Sequence, residues 1–409
     1  MTGSDTRPIM SAFSCNSRSE RVLRFLTAGE SHGPALVAIL DGIPSGMSLK
    51  ASAIDHQLVR RMGGYGRGGR MKIEADRARL LSGVRFGKTL GSPIALVIEN
   101  RDWVNWQAAM ALERAPLDPV AARRVTRPRP GHADLPGALN HNTHDARDIL
   151  ERASARETAA RVAVGAICRV LLQEFDIEIA SHTTSVGAAA SEGKDVPWKR
   201  ILRCEGSPLR CAESALERKM MLEIDRARKR GDSVGGSFQI VVRGAPPGLG
   251  THRQWDLRLS GLIARALMSI PSVKGAEVGS GFSNARSRGS EVHDEIHYDR
   301  RRRMFFRKTN RAGGIEGGMT NGEEIRARGF VKPLSTLPHS LKSADLVSKE
   351  PFDAAVERTD TTAIAAAGVI GEAMLAVVLA QAFLQKFGAD SLGEIRRNYR
   401  GYLRQLRAY

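Results

Sequence analysis

The sequence predicts a mixed α+β or α/β chain, and three observations carry that expectation. Short β-branched runs and long alanine-rich helical patterns occur in roughly equal measure. Their alternation is irregular, which disfavours a doubly wound parallel sheet with its regular strand–helix rhythm. One pattern also occurs twice. "LVAILDGIPSGM" (36–47) is an apolar run ending in Gly42-x-Pro44-x-Gly46, and "FQIVVRGAPPGL" (238–249) repeats it as Gly244-x-Pro246-x-Gly248. Each is followed by a helical pattern, Ile54/Leu58 in the first and Leu259/Leu262/Ile263/Ala266/Leu267 in the second, and then by a glycine-rich basic loop. Strand, Gly-Pro turn, helix and basic loop, twice over, predict two pseudo-symmetric halves, about 21–190 and 232–400, packed as a single domain over 21–409.

Taken in order, residues 1–20 contain Ser and Arg, few acids and no apolar core segment, so they read as a flexible N-terminal extension and not a secretory signal; an organelle transit peptide shares the composition. Strands are predicted at Leu23–Thr27, Ile94–Ile98, Ile177–Ser185 and Phe238–Val242. Residues 152–174 place Ala159, Val162, Ala163, Ala166, Ile167, Val170 and Leu171 on one helical face. Residues 209–230 do the same with Leu216, Met220 and Ile224, and Gly231 stands where a helix ends. The longest apolar run, Thr361 to Leu384, is interrupted by Glu372. A carboxylate at mid-span is costly in lipid, so this segment reads as a buried core helix and not as a membrane span.

Charge narrows the function. The net charge of +18 calls for a polyanionic partner, either nucleic acid or a phosphorylated metabolite with a phosphorylated cofactor. Part of the excess is local: residues 60–85 carry eight Arg/Lys against Glu74 and Asp76. Within them "RRMGGYGRGGRM" (60–71) resembles an RGG box and also contains Gly64-x-Gly66-x-x-Gly69. A dinucleotide fingerprint must follow a strand and open a helix. Here helix-like "SAIDHQLVRRM" precedes the glycines and strand-like "MKIEADRARLLSG" follows, so the order is reversed. An RGG box works by repetition in a disordered tract, and this is one copy between ordered elements. What is left is a loop whose Arg61, Arg67 and Arg70 can fork onto carboxylates or phosphates, or else a solvated basic loop.

Two glycine-flanked histidines add to the first of these readings: His32 in "TAGESHGPAL" (27–36) and His132 in "RPRPGHADLPG" (127–137). Beside arginines, such imidazoles suit a site where an anion leaves and must be protonated. "ERASARETAARVAVGA" opens a helix with Arg152, Ser154 and Arg156 in its first turn, an arrangement for an anion or simply a capped helix. No metal is expected. Cys15, Cys168, Cys204 and Cys211 form no CxxC pair, and His141-x-x-His144 lacks further ligands at a recognised spacing. The cysteine pattern suits a reducing cytosol. "RRRRMFFRK" (300–308) reads as a solvated basic edge.

Ten stretches, in order, resemble the chorismate synthase family: "GESHG", "RRMGGYGRGGRM", "RPRPGHADL", "ERASARET", "DSVGG", "ALMSIPSVKG", "NRAGGIEGGMTNGE", "KPLSTL", "RTDTTA" and "AAGVIGEAML". They span roughly residues 23–393 without rearrangement. The resemblance implies a β-α-β sandwich with internal pseudo-duplication, usually assembled as a homotetramer, within the α+β class. It implies anti-1,4 elimination of phosphate and a ring hydrogen from 5-enolpyruvylshikimate-3-phosphate, giving chorismate, with reduced FMN and no net redox change. NADPH is the candidate reductant of that flavin. Carried onto matching positions, His32 would protonate the departing phosphate, His132 would protonate or polarise the flavin, and Asp360 would assist loss of the ring hydrogen. Arg61, Arg67, Arg70, Arg129, Arg156 and Arg358 would clamp the substrate. Arg152, Ala153, Ser154, Gly317, Lys332, Pro333, Leu334, Ser335, Thr336 and Arg358 would hold FMN. The chain departs from the family at Asn140-His141, where a Lys-Tyr pair is usual, and at Arg265, where Gln is frequent.

Such a site gathers about five negative charges, each phosphate carrying close to −2, and a dense arginine lining would be needed to hold them. A cytoplasmic enzyme acting on a small molecule, without nucleic acid or membrane, is therefore expected. The competing readings are a basic RNA-binding protein with an RGG-like loop and a flavin-dependent oxidoreductase. Aromatics at 5% and the lack of a strand with alternating aromatics count against the former.

Overall fold

A computed structural model describes residues 22–68, 75–113, 123–191, 195–357 and 359–409. The extension expected at 1–20, and the candidate residues Arg70 and Arg358, lie outside the described residues.

Two antiparallel sheets enclose a layer of helices. The first contains β1 (Arg24–Ala28), β2 (Ala35–Asp41), β3 (Arg79–Leu80) and β4 (Ile94–Glu99), in the order β1-β2-β4-β3. The second contains β5 (Glu178–Val186), β6 (Ala189–Ala190), β7 (Gly236–Arg243), β8 (Val273–Val278) and β9 (Ile325–Val331), in the order β8-β9-β7-β5-β6. The main helices are α1 (Ala51–Met62), α2 (Arg147–Ala153), α3 (Thr158–Gln173), α4 (Ser214–Lys229), α5 (Leu259–Met268), α6 (Ile364–Phe387) and α7 (Leu392–Ala408). In the middle layer α6 lies on β5 and β7 and against α3, while α3 lies on β2 and against α1. This is a β-α-β sandwich of the α+β class.

Strand alternation explains the first sheet. Leu36, Ala38, Leu40, Ile94, Leu96 and Ile98 are buried toward the helices, whereas the paired residues Leu26 and Ile39 face outward. The second sheet is covered on both faces. Ser181 of β5 reaches α6, and Ala180 and Val241 pack with Val196, Trp198 and Ile201 on the other side. At the centre, a methyl group on Gly165 of α3 would collide with Ala373 of α6, so the two helices meet where neither carries bulk.

The two Gly-x-Pro-x-Gly turns are built alike. Gly42 and Gly244 adopt φ of +91° and +81°, and Gly46 and Gly248 both adopt +86°, a region that favours glycine. Thr89 Oγ1 donates to Pro44 O (2.6 Å) and accepts from Met47 N (3.0 Å). Thr320 Oγ1 donates to Pro246 O (2.6 Å) and accepts from Leu249 N (2.8 Å).

One expected helix divides. Residues 152–174 break at Ser154, whose extended backbone (φ −60°, ψ 142°) ends α2 and whose side chain accepts the Arg156 N–H to start a short 3₁₀ turn before α3. Arg152 therefore closes one helix and Arg156 opens the next, so the two do not share a first turn. The helix expected from residue 209 begins at Ser214, because Arg210 sits at φ +55° in a preceding loop.

Candidate active site

Loops leaving β1, α1, α5 and β9 and the start of α3 and α6 border a cavity of about 560 Å³. His32, Arg61, Arg67, Arg129, His132, Arg156 and Asp360 all line it, as do Ala153, Ser154, Lys332, Leu334, Ser335 and Thr336. Residues separated by more than 300 positions thus meet at one site.

His32 sits in the turn after β1. Its Nδ1 lies 2.9 and 3.0 Å from the two carboxylate oxygens of Glu151 on α2, and its backbone N–H donates to the same carboxylate at 2.8 Å. Arg147, one turn earlier on α2, donates to Glu151 at 3.1 Å. The imidazole stacks on Trp106 with ring centroids 3.8 Å apart, and Arg123 lies over the indole at 4.0 Å. Burial pushes the Glu151 carboxyl upward, but the hydrogen bonds and charge of His32, with Arg147, outweigh it and hold the group below its ordinary value.

His132 is held by a parallel device. Its Nδ1 bonds to Asp134, which is fully buried and also accepts from Arg129 N (3.0 Å), Nε (2.8 Å) and Nη2 (3.1 Å). Burial again works upward, and the His132 and Arg129 bonds outweigh it, keeping the Asp134 carboxyl well below the usual range. In both cases a carboxylate engages Nδ1 and fixes the ring.

The arginines are aimed by partners of which Thr158, Asp76 and Asp134 are buried. Arg61 Nε donates to Thr158 Oγ1 (2.9 Å) and Nη2 to Ala155 O (2.8 Å). Arg156 Nη1 bonds both oxygens of Asp76 at 2.6 and 2.7 Å, and Arg61 Nη1 lies 3.6 Å from the same carboxylate. Arg67 Nε lies 3.2 Å from Asp360, which also accepts from Gly68 N at 2.6 Å. Arg129 Nη1 donates to Thr336 Oγ1 at 2.8 Å. Lys274 and Lys332 add two more cations to the lining. Burial and the charge of Lys274 both lower the Lys332 pKa below the ordinary lysine value.

Three candidates for the flavin are not among the residues that line this cavity. Arg152 donates to Thr27 O (2.9 Å), Thr27 Oγ1 (2.7 Å) and Gly29 O (3.1 Å), binding the end of β1 to α2, and lines a separate groove together with Arg265. Gly317 lies in the tight turn joining Ile315–Glu316 to Met319–Thr320 and does not line the cavity. Pro333 is also absent from the lining, although its neighbours on both sides contribute. Conversely, Glu151, Asp134, Asp76, Trp106 and Lys274 support or line the site without having been singled out as site residues from sequence. Glu151 and Asp134 fall inside the stretches "ERASARET" and "GHADL", where an acid beside a basic residue was the available signal. Trp106 gave none.

Among the described residues no group of three or more His, Cys, Asp or Glu is placed to hold a metal ion.

Comparison with known proteins identifies the family. The sequence profile of the chorismate synthase family matches residues 23–384. The chain is 52% identical to chorismate synthase of Solibacter usitatus over 391 residues, covering 95% of this chain and 100% of that one. It is 51% identical to chorismate synthase of Geobacter sulfurreducens over 395 residues, with the same coverage. A crystal structure of a chorismate synthase superposes with a TM-score of 0.76 at 41% identity, covering 95% of this chain and 99% of that one. On sequence and fold together, the chain belongs to the chorismate synthase family, the carbon–oxygen lyases that form chorismate in the shikimate pathway and feed aromatic amino acid biosynthesis.

Proposed function

We propose that the 560 Å³ cavity carries out the family's anti-1,4 elimination on 5-enolpyruvylshikimate-3-phosphate, with the substrate's three anionic groups held by Arg61, Arg67, Arg129 and Arg156. Arg70 and Arg358, outside the described residues, complete the proposed clamp. The observation that carries the reading is the pairing of this arginine lining with two imidazoles, each fixed at Nδ1 by a buried carboxylate. His32 delivers a proton from Nε2 to the departing phosphate. His132 would hold a proton for the bound flavin, its ring fixed by Asp134. Asp360, held by Arg67 and Gly68, receives or directs the ring hydrogen.

The residues present fit a reduced FMN. Lys332, Ser335 and Thr336 form a donor set suited to its phosphate, and Ser154 adds a hydroxyl. Ala363, Ala366, Ala367 and Ile370 give a low apolar wall for a flat ring. Bound there, reduced FMN would lend electron density to the substrate ring and recover it, so no net oxidation results. The protein's own share is to stack the two ligands, neutralise their charge and exclude water. Arg152 and Gly317 are not included in this set.

The chain works, in this reading, as one domain of two pseudo-symmetric halves, supported by its matched Thr89 and Thr320 turns. A cytoplasmic homotetramer, with NADPH or a separate reductase supplying electrons to the flavin, completes the proposal; nucleic acid and membrane have no part in it.

The test is anaerobic turnover with a catalytic amount of photoreduced FMN. Phosphate and chorismate should appear in equal amounts over many turnovers, and oxidised FMN alone should give none. Consumption of NADPH or reduced flavin one-for-one with product would instead make the protein an oxidoreductase. Arg61→Ala and Arg67→Ala should raise KM for the substrate, since losing a desolvated charged partner costs roughly 2–5 kcal/mol. Affinity for reduced FMN should change far less.

A further inference from the structure

Glu372 is the only acid in the 24-residue helix α6, and its side chain is almost fully buried. It accepts from Arg60 Nη1 (2.7 Å) and Nη2 (3.0 Å), Arg169 Nη1 (2.7 Å), Arg210 Nη2 (3.1 Å) and Ser181 Oγ (2.6 Å). Arg60 and Arg210 are joined a second time through Glu205, at 2.7 Å each. Three guanidiniums from three segments therefore converge on one carboxylate. Desolvating such a cluster costs about as much as its ion pairs return, and an apolar core would be at least as stable. Arg210 is in addition held at φ +55°, a strained backbone for a residue with a side chain. Its value is then sought in what it positions and not in stability.

What it fixes is the end of α1. Successive helical residues point about 100° apart, so the last turn of α1 sends Arg60 to Glu372 and Arg61 to Thr158, Ala155 and the cavity. The loop that follows is stitched to the same neighbours. Tyr65 N donates to Pro208 O at 2.8 Å, two residues before Arg210. Thr361 N donates to Gly66 O at 2.9 Å, just before α6 begins. Gly68 N then bonds Asp360. The loop carrying Arg67 is thus strung between the Arg210 segment and the start of α6, and Glu372 ties both to α1.

We propose that Glu372 is a positioning residue for the substrate clamp: through Arg60 and Arg210 it fixes the end of α1 and the 63–68 loop so that Arg61 and Arg67 meet the substrate's anions together. The inference rests on the assignment of Arg61 and Arg67 to the substrate.

Arg60→Met and Arg169→Met test it as a pair. Each removes one guanidinium from the same carboxylate and leaves two others with Ser181, so the acid stays compensated and both variants should fold, with the larger loss in urea midpoint in Arg60→Met, which also gives up Glu205. Only Arg60 belongs to α1. Arg60→Met should raise KM for the substrate about tenfold or more, leaving kcat within about threefold and reduced-FMN affinity unchanged. Arg169→Met should leave KM within about twofold, and Arg60→Lys should recover part of the loss. Equal KM effects in the two Met variants, or none in Arg60→Met, would reduce the cluster to a structural ion network and overturn the proposal. Arg61→Ala is measured alongside. If it leaves KM unchanged, the clamp assignment fails and takes the inference with it. If it raises KM while Arg60→Met does not, the clamp stands and the link to Glu372 is rejected.

Discussion

His32 and His132 are fixed by the same chemistry drawn from very different stretches of chain. The His132 station is local: Arg129, His132 and Asp134 lie within six consecutive residues, a loop and the first residue of the helix after it, and bond to one another. The His32 station is assembled from afar. Glu151 is 119 residues away, Arg147 stands one turn behind it, and Trp106 comes from a third segment to cover the ring. The local station draws its ring, acid and arginine from one stretch of chain, so its internal geometry is set mainly by that stretch. The distant one is more buried, and its geometry depends on the packing of α2 against the β1 turn. One imidazole is placed by a loop, the other by the fold.

The largest effect should come from removing either ring. His32→Ala and His132→Ala should each lower kcat on the order of 10²–10⁴, the usual contribution of a positioned acid or base. Circular dichroism should show both proteins folded. Wild-type turnover in one of them would strike that histidine from the chemistry and leave the stations unequal in function as well as in construction.

Smaller losses are expected at the carboxylates, and these separate the stations. Glu151→Gln and Asp134→Asn should each reduce kcat by about 10²-fold, because an amide can present its NH₂ to Nδ1 and favour the wrong tautomer. Asp134→Asn should also raise KM, since Arg129 loses the acid that aims it. Glu151→Gln should leave KM nearly unchanged. Both carboxyls are depressed in the fold, so their stabilising effect is complete above the unfolded values, roughly pH 4–4.5, and is lost as pH falls through that window toward the folded values. Urea midpoints at pH 7 and pH 4 should therefore fall less steeply in either variant than in the wild type, from a lower starting point. An unchanged acid slope would mean the carboxyls are not depressed.

The smallest change belongs to the indole. Trp106→Leu should lower kcat about two- to tenfold, as expected for losing a ring contact of roughly 0.5–1.5 kcal/mol. It should not alter the effects of variants at His132. Non-additivity between Trp106→Leu and Asp134→Asn in a double-mutant cycle would show that the stations are coupled and the distinction between them is false.

The same contrast explains what the sequence revealed. Strands with β-branched alternation, such as Ile94–Glu99, and the apolar stretch of α6 follow from local pattern and were legible within a residue or a few. The repeated Gly-x-Pro-x-Gly turns were legible because glycine and proline mark backbone geometry directly. His132 and Arg129 could be grouped because they are neighbours in the chain. Glu151 could not be matched to His32, since nothing in either local sequence encodes a partner over a hundred residues distant. The break at Ser154 escaped notice because the apolar period continues across it, while the turn depends on one hydroxyl capping the Arg156 N–H. Arg152 is assigned to the cofactor by its place in a motif, and nothing in that motif signals that its guanidinium also ties Thr27 and Gly29 to α2.

The stacking of Trp106 on His32 has an optical consequence. An indole in face contact with an imidazole at 3.8 Å is a fluorophore beside a titratable quencher, and the imidazolium quenches more strongly than the neutral ring. With Trp103, Trp198 and Trp255 replaced by phenylalanine, emission at this position would report the charge on His32 directly, and would change again when an anion arrives beside it. Protonation and ligand arrival could then be followed by fluorescence in the resting protein, in the absence of turnover.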